Sequence, residues 1–131
     1  MKKLVLITAF LFCLNLLAQR EFYELRTYEL YQSSNFKDFN AYFEDYLIPA
    51  LNKKGINNIG VFKEVSMDLP RKMYVLIPYP NITVYQSVSR SIKGDPNNAD
   101  ASVKLNKKNR PMFNRYSTSL YDAFEGMPNL V

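Results

Sequence analysis

Glu24, Arg26 and Tyr28 stand two apart in a stretch of strand composition, Glu21 to Tyr31 (EFYELRTYELY). Strand side chains alternate with period two, so these three share one face and Tyr23, Leu25 and Thr27 share the other. An acid, a cation and a phenol in one row could hold a small anionic or aromatic ligand. They could also do chemistry. Arg26 would stabilise negative charge on a substrate, Tyr28 would donate a hydrogen bond or a proton, and Glu24 would serve as a base once desolvated. The plainer alternative is that Glu24 and Arg26 pair on a wet surface.

Composition narrows the chemistry further. The 131 residues include no His, no Trp and a single Cys. A Ser-His-Asp triad, a Cys-His pair and any His-ligated metal or haem are excluded. No acid cluster has metal-ligand spacing, and the four glycines (Gly55, Gly60, Gly94, Gly126) form no phosphate loop or dinucleotide fingerprint. No metal and no cofactor are expected. With 47% hydrophobic and 15% aromatic residues, the chain has the composition of one globular domain.

Residues 1–19 read as a signal peptide. Met1-Lys2-Lys3 is a basic start, Leu4 to Leu17 is nearly all apolar, and Ala18 precedes the polar Gln19-Arg20-Glu21. The apolar run is shorter than the roughly 20 residues a spanning helix needs. A cut after Ala18 or Gln19 fits, leaving residues 20–131 as the mature domain, with no stable membrane span. The expected location is outside the cytoplasm, periplasmic or secreted. Removing Lys2 and Lys3 reduces 17 basic residues to 15 against 12 acidic ones, a net charge of +3. That bias is too weak for nucleic-acid binding. Cys13 leaves with the segment, so the mature domain is held by packing, without disulfides.

The remaining elements must position the row. After the first strand, Ser33, Ser34 and Asn35 offer helix caps. Phe36, Phe39, Phe43, Tyr46, Leu47 and Ala50 recur at helical spacing. Pro49 is expected to kink this helix or end its first part, and Gly55 to close it after Lys53-Lys54. Asn58 to Val65 and Lys72 to Pro78 read as strands around a turn at Asp68, Pro70 and Arg71. Asn81 to Lys93 reads as a helix with Val84, Val88 and Ile92 on one side, ended by Gly94-Asp95-Pro96. Asn97 to Lys107 is a weaker helical stretch, and Arg115 to Phe124 a last strand. Asn81-Ile82-Thr83 matches a glycosylation triplet that is common by chance. The order strand, helix, strand, strand, helix, strand predicts an α+β domain of ferredoxin-like βαββαβ type, an antiparallel sheet with helices on one face.

In this arrangement the first strand is central and one sheet face is bare. Tyr23 and Leu25 are assigned to the helix-covered core, which places Glu24, Arg26 and Tyr28 on the uncovered face, because burying an acid and a cation is costly. A bare sheet also calls for a partner. Phe22, Phe62, Tyr74, Tyr116 and Tyr121 could supply a sheet-to-sheet interface, though core positions would claim many of them. Lys104, Lys107, Lys108, Arg110 and Arg115 form a basic run, read as a solvated face or as an anion-binding lip beside the cleft, with Arg115 the anion-binding candidate. Asp38, Glu44 and Asp45 read as solubilising charge on a helix.

Three separated segments carry a family resemblance: YELRTYEL at Tyr23 to Leu30, IPALNKKGINNIGVFKEV at Ile48 to Val65, and RYSTSLYDAFEGMP at Arg115 to Pro128. In order, and across the mature chain, they resemble the NIPSNAP family. The resemblance implies a ferredoxin-like domain of the dimeric α/β-barrel type, in which two sheets close face to face. The wider superfamily includes cofactor-free monooxygenases, cyclases and haem-dependent enzymes. Exported bacterial relatives commonly carry two such domains, and this sequence holds one. The expected partner is therefore a second copy or a second NIPSNAP-like domain. The expected role is an exported binding module with a small ligand in the barrel cleft. The alternative is a small metal-free enzyme, monooxygenase- or cyclase-like, using the same cleft.

Overall fold

The computed structural model describes residues 20–66, 68–96 and 113–130. The signal-like segment, the Asn97 to Lys107 stretch and Lys104, Lys107, Lys108 and Arg110 lie outside the described residues. Strand β1 (Phe22–Leu30) leads into a helical run made of α1 (Phe36–Tyr42), a wider π turn (Phe43–Leu47) and α2 (Ile48–Asn52). Strands β2 (Gly60–Lys63) and β3 (Lys72–Tyr79) follow, then α3 (Ile82–Lys93) and β4 (Phe113–Asp122). The sheet is antiparallel in the order β2-β3-β1-β4, so β1 is central and β2 and β4 are its edges. This is the ferredoxin-like arrangement.

Local chemistry sets the helix limits. The Asn35 side chain accepts from the Lys37 amide at 3.0 Å, capping α1, and the Asn81 side chain accepts from Val84 at 3.0 Å, capping α3. Asn81 of the glycosylation triplet thus has a structural task. The first part of the helical run ends before Pro49, which stands in the first turn of α2. The run passes through it by widening just before, where the Ile48 amide bonds back to the Phe43 carbonyl. Phe39, Phe43, Leu47 and Leu51 are spaced by four and all buried. A strict four-residue spacing drifts around a helix of 3.6 residues per turn, and the wide turn takes up that drift. The helix closes at Gly55, in the left-handed region at φ 82°. Gly55 N–H bonds to Asn52 at 2.9 Å and Ile56 N–H to Leu51 at 3.1 Å, a Schellman closure with buried Leu51 and Ile56 in its hydrophobic positions.

Beneath the helices, one row of each inner strand is buried: Phe22, Glu24, Arg26, Tyr28 and Leu30 from β1, and Met73, Val75, Ile77 and Tyr79 from β3. The register pairs Phe22 with Tyr79, Glu24 with Ile77, Arg26 with Val75 and Tyr28 with Met73. Tyr28 packs edge-on against Phe39 and Phe43 at 5.9 and 5.7 Å between centroids. Tyr85 of α3 lies 5.4 Å from Phe22 and 5.3 Å from Tyr79.

The face assignment drawn from the sequence is therefore reversed. Glu24, Arg26 and Tyr28 lie under the helices, and Tyr23, Leu25 and Thr27 lie on the helix-free face. In β1 alone the two rows carry similar polarity, so the cost of burying charge decided the expectation. The neighbouring strand settles it physically. The Met73, Val75, Ile77, Tyr79 row of β3 is the more apolar one, and it is in register with the Glu24 row.

The opposite face is uncovered among the described residues. It presents Tyr23 and Leu25 from β1, Tyr74 and Leu76 from β3, Phe62 from β2 and Tyr121 from β4. Phe62 is 53% exposed and Tyr121 50%. Phe22 and Tyr116, expected at such an interface, sit on the helix side instead.

The tail is tied back to β1. Glu21 N–H bonds to Pro128 at 3.0 Å, and its carbonyl accepts from Ala123 at 2.9 Å. Its carboxylate accepts from Tyr23 at 2.6 Å and from the Leu130 amide at 2.9 Å. Partial burial, reinforced by Glu21, pushes the Tyr23 phenol up to about 12, so it stays a donor at neutral pH.

Candidate functional site

The site is built on the central strand. Period-two alternation brings Glu24 and Arg26 together on the covered face, and they are only 3% and 8% exposed. Arg26 Nε donates to Glu24 Oε1 at 2.8 Å, and Nη2 donates to Oε2 at 3.0 Å. This is a two-pronged ion pair on the side-on edge of the guanidinium. Tyr79, at the end of β3, donates to Glu24 Oε2 at 2.9 Å. Among the described residues no buried side-chain nitrogen or oxygen lacks a partner. That satisfaction is what allows an acid and a base in the core.

The surrounding phenols are held neutral. Burial pushes Tyr28 up, and the opposing pull of the Arg26 charge does not cancel it. Burial and then the Glu24 charge raise Tyr79, and burial raises Tyr42. Burial works against the Arg26 cation, but the hydrogen bonds and charge of Glu24 more than reverse it, so Arg26 stays charged. Tyr28, Tyr42 and Tyr116 all lie close enough for electrostatic coupling to Arg26.

Among the described residues, the helical cover does not extend over β4. On the β3 side of Arg26, Val75 is fully buried. On the β4 side, Arg26 is in register with Thr118, Tyr28 with Tyr116 and Glu24 with Leu120. Those β4 residues are exposed, Tyr116 and Leu120 each at 44%. Thr118 donates to the Tyr116 oxygen at 2.8 Å, and the Tyr116 ring lies 5.1 Å from Tyr28. The result, among the described residues, is a flank where a buried charged pair borders an exposed, partly aromatic strip.

The structure thus brings together Glu24, Arg26 and Tyr28, as the sequence predicted, but on the other side of the sheet. It does not bring in Arg115, which is exposed and in register with Glu29 on the helix-free face. Glu24 is a poor candidate base, because three donors already point at its two oxygens. Its work is to orient Arg26. Sequence reasoning missed Tyr79, because the strand was ended at Pro78, and gave no role to Tyr42 or Thr118. A tyrosine closing the apolar row Met73, Val75, Ile77 was the available signal, since a buried phenol needs an acceptor.

A separate depression of about 500 Å³, lined by Lys54, Thr83, Val84, Ser87, Val88 and Ser91, is bordered by none of these residues. Among the described residues there is no group of three or more Cys, Asp or Glu that could hold a metal ion. Nor is any described helix long and apolar enough to cross a membrane.

No family model matches the sequence, and no curated protein matches it. Solved structures do. An uncharacterized NIPSNAP-like domain protein from Burkholderia xenovorans aligns with TM-score 0.67 at 17% identity, over 86% of this chain and 93% of that one. The chain has the NIPSNAP fold. SnoaB, a cofactor-independent oxygenase from Streptomyces nogalater, aligns with TM-score 0.60 at 10% identity, over 84% of this chain and 99% of its own. A dimeric ferredoxin-like protein of unknown function from Thermobifida fusca aligns with TM-score 0.51 at 8% identity, over 79% and 92%. At these identities the likeness is one of fold.

Proposed function

We propose that the NIPSNAP-like domain is an exported binding module. It assembles sheet to sheet with a second copy of itself, and it takes a small ligand on the β4 flank beside Arg26. The observation that carries the ligand reading is the Glu24–Arg26 pair, buried yet in register with the exposed residues of β4. A ligand site in a cleft between two sheets loses its residues, because the row faces the helices. The assembly reading is supported by the apolar helix-free face and by the dimeric state of a protein of the same fold. Export is supported by the basic start and apolar run of residues 1–19.

A second reading uses the same flank for catalysis without metal or cofactor, in the manner of a monooxygenase or cyclase. It is favoured by one observation: Arg26 and the neutral phenols place several hydrogen-bond donors where charge could develop on a substrate oxygen. The fold shared with a cofactor-independent oxygenase is compatible with it.

Native mass spectrometry of residues 20–131, purified from an exporting host, tests the proposal. The expected result is a dimer that carries extra mass, released on unfolding. A bare monomer at micromolar concentration would contradict both the assembly and the ligand.

A further inference from the structure

The donors and charges at the β4 flank restrict the chemistry of what it can take. Glu24 engages the side-on edge of the Arg26 guanidinium through Nε and Nη2. The same planar group carries five N–H bonds in all, more than Glu24 and Tyr28, which also accepts from it, take up. Tyr28, Tyr42 and Tyr116 are the phenols coupled to that guanidinium. Thr118 donates to the Tyr116 oxygen, so the Tyr116 hydrogen points elsewhere and is itself a donor. The polar groups at this edge are thus mostly donors. The charge, however, is already balanced, because Glu24 neutralises Arg26 within the core. An added anion would bring an uncompensated negative charge into a partly desolvated place beside Glu24. An added cation would meet donors and the guanidinium. A neutral acceptor meets neither penalty. The apolar surface beside the donors is the Tyr116 ring, backed by buried Tyr28 at 5.1 Å, and exposed Leu120. Such a surface suits a flat ring.

We infer that the flank takes a neutral, planar aromatic carbonyl compound, its carbonyl oxygen accepting from Arg26 and Tyr116 and its ring lying against Tyr116 and Leu120. This rests on the reading of the flank as the ligand site and adds the ligand's class. It also assigns binding roles to Tyr116, Thr118 and Leu120. Thr118 acts as a positioning residue, fixing which way the Tyr116 hydrogen points.

The test is a nitrogen–proton NMR titration of residues 20–131 with three probes: acetophenone, benzoate and ethylbenzene. Acetophenone is expected to shift the Arg26 Nε–H and the amides of Tyr116 and Leu120 saturably. Benzoate should bind at least about tenfold more weakly, and so should ethylbenzene, which has the ring without an acceptor. Tyr116→Phe should weaken acetophenone several-fold while the rest of the spectrum stays folded, and Leu120→Lys should remove the shifts. Because both positions are exposed, neither variant depends on the core surviving. Benzoate binding as tightly as acetophenone, or ethylbenzene binding equally well, would overturn the ligand class and leave the site standing. No saturable shift at the flank with any probe would overturn the site as well.

Discussion

Arg26→Leu should destabilise the domain by about 3–5 kcal/mol, because it leaves the Glu24 carboxylate buried without its counter-charge. Glu24 is 3% exposed and would keep only the Tyr79 hydroxyl as a partner. A loss of that size is a large share of the roughly 5–15 kcal/mol that holds a typical domain together. Replacing the whole cluster should behave differently. In a triple variant, Glu24→Leu, Arg26→Met and Tyr79→Phe, no charge is left buried without its counter-charge, although the Tyr28 hydroxyl loses its bond to Arg26, and most of the loss should return. Urea denaturation of residues 20–131 at neutral pH measures both. If Arg26→Leu costs less than about 1 kcal/mol, the pair is wet, as a surface pair would be, and its placement beneath the helices is wrong.

Leu25→Lys combined with Leu76→Lys should break the assembly and spare the fold. The two positions are directly opposed on β1 and β3, mid-way along the helix-free face. Both are partly exposed in the single chain, so in the monomer each lysine head can reach water. In a sheet-to-sheet dimer two such pairs would bring four desolvated cations together, a change large enough to shift association by several orders of magnitude. Sedimentation velocity should show the parent protein as a dimer and the variant as a folded monomer with an unchanged circular dichroism spectrum. A variant that remains dimeric would move the interface elsewhere, with the β4 flank the next surface to examine.

Much of the architecture was legible in the sequence. The strand at Glu21 to Tyr31, the Asn35 cap, the Gly55 closure, the Val84, Val88, Ile92 stripe and the last strand all rest on local chemistry. That chemistry survives into the fold, so the element order and the ferredoxin-like topology followed. Pro49 also acts locally: the helix widens in the turn before it, and Pro49 stands in the first turn of α2. The orientation of β1 was illegible. A single strand gives two faces and no label for the inner one, and the Glu24 row and the Tyr23 row differ little in apolar content. The label comes from pairing with Met73, Val75, Ile77 and Tyr79, a contact about fifty residues away in sequence. The candidate row was found, and its side of the sheet was not. Tyr79 and Thr118 became site residues only through register with Phe22 and Arg26.

The central claim is that the two sheet faces have opposite duties: the helix-free face joins a second copy, and the helix side holds the charged pair and its ligand. The most direct measurement is an intermolecular NOE experiment on an equal mixture of isotope-labelled and unlabelled chains, with labelled leucine, isoleucine and valine methyl groups. The account predicts intermolecular contacts from the Leu25 and Leu76 methyls, and none from Val75 or Ile77 beneath the helices. Intermolecular contacts from Leu120 on the helix side, with none from Leu25 or Leu76, would contradict it.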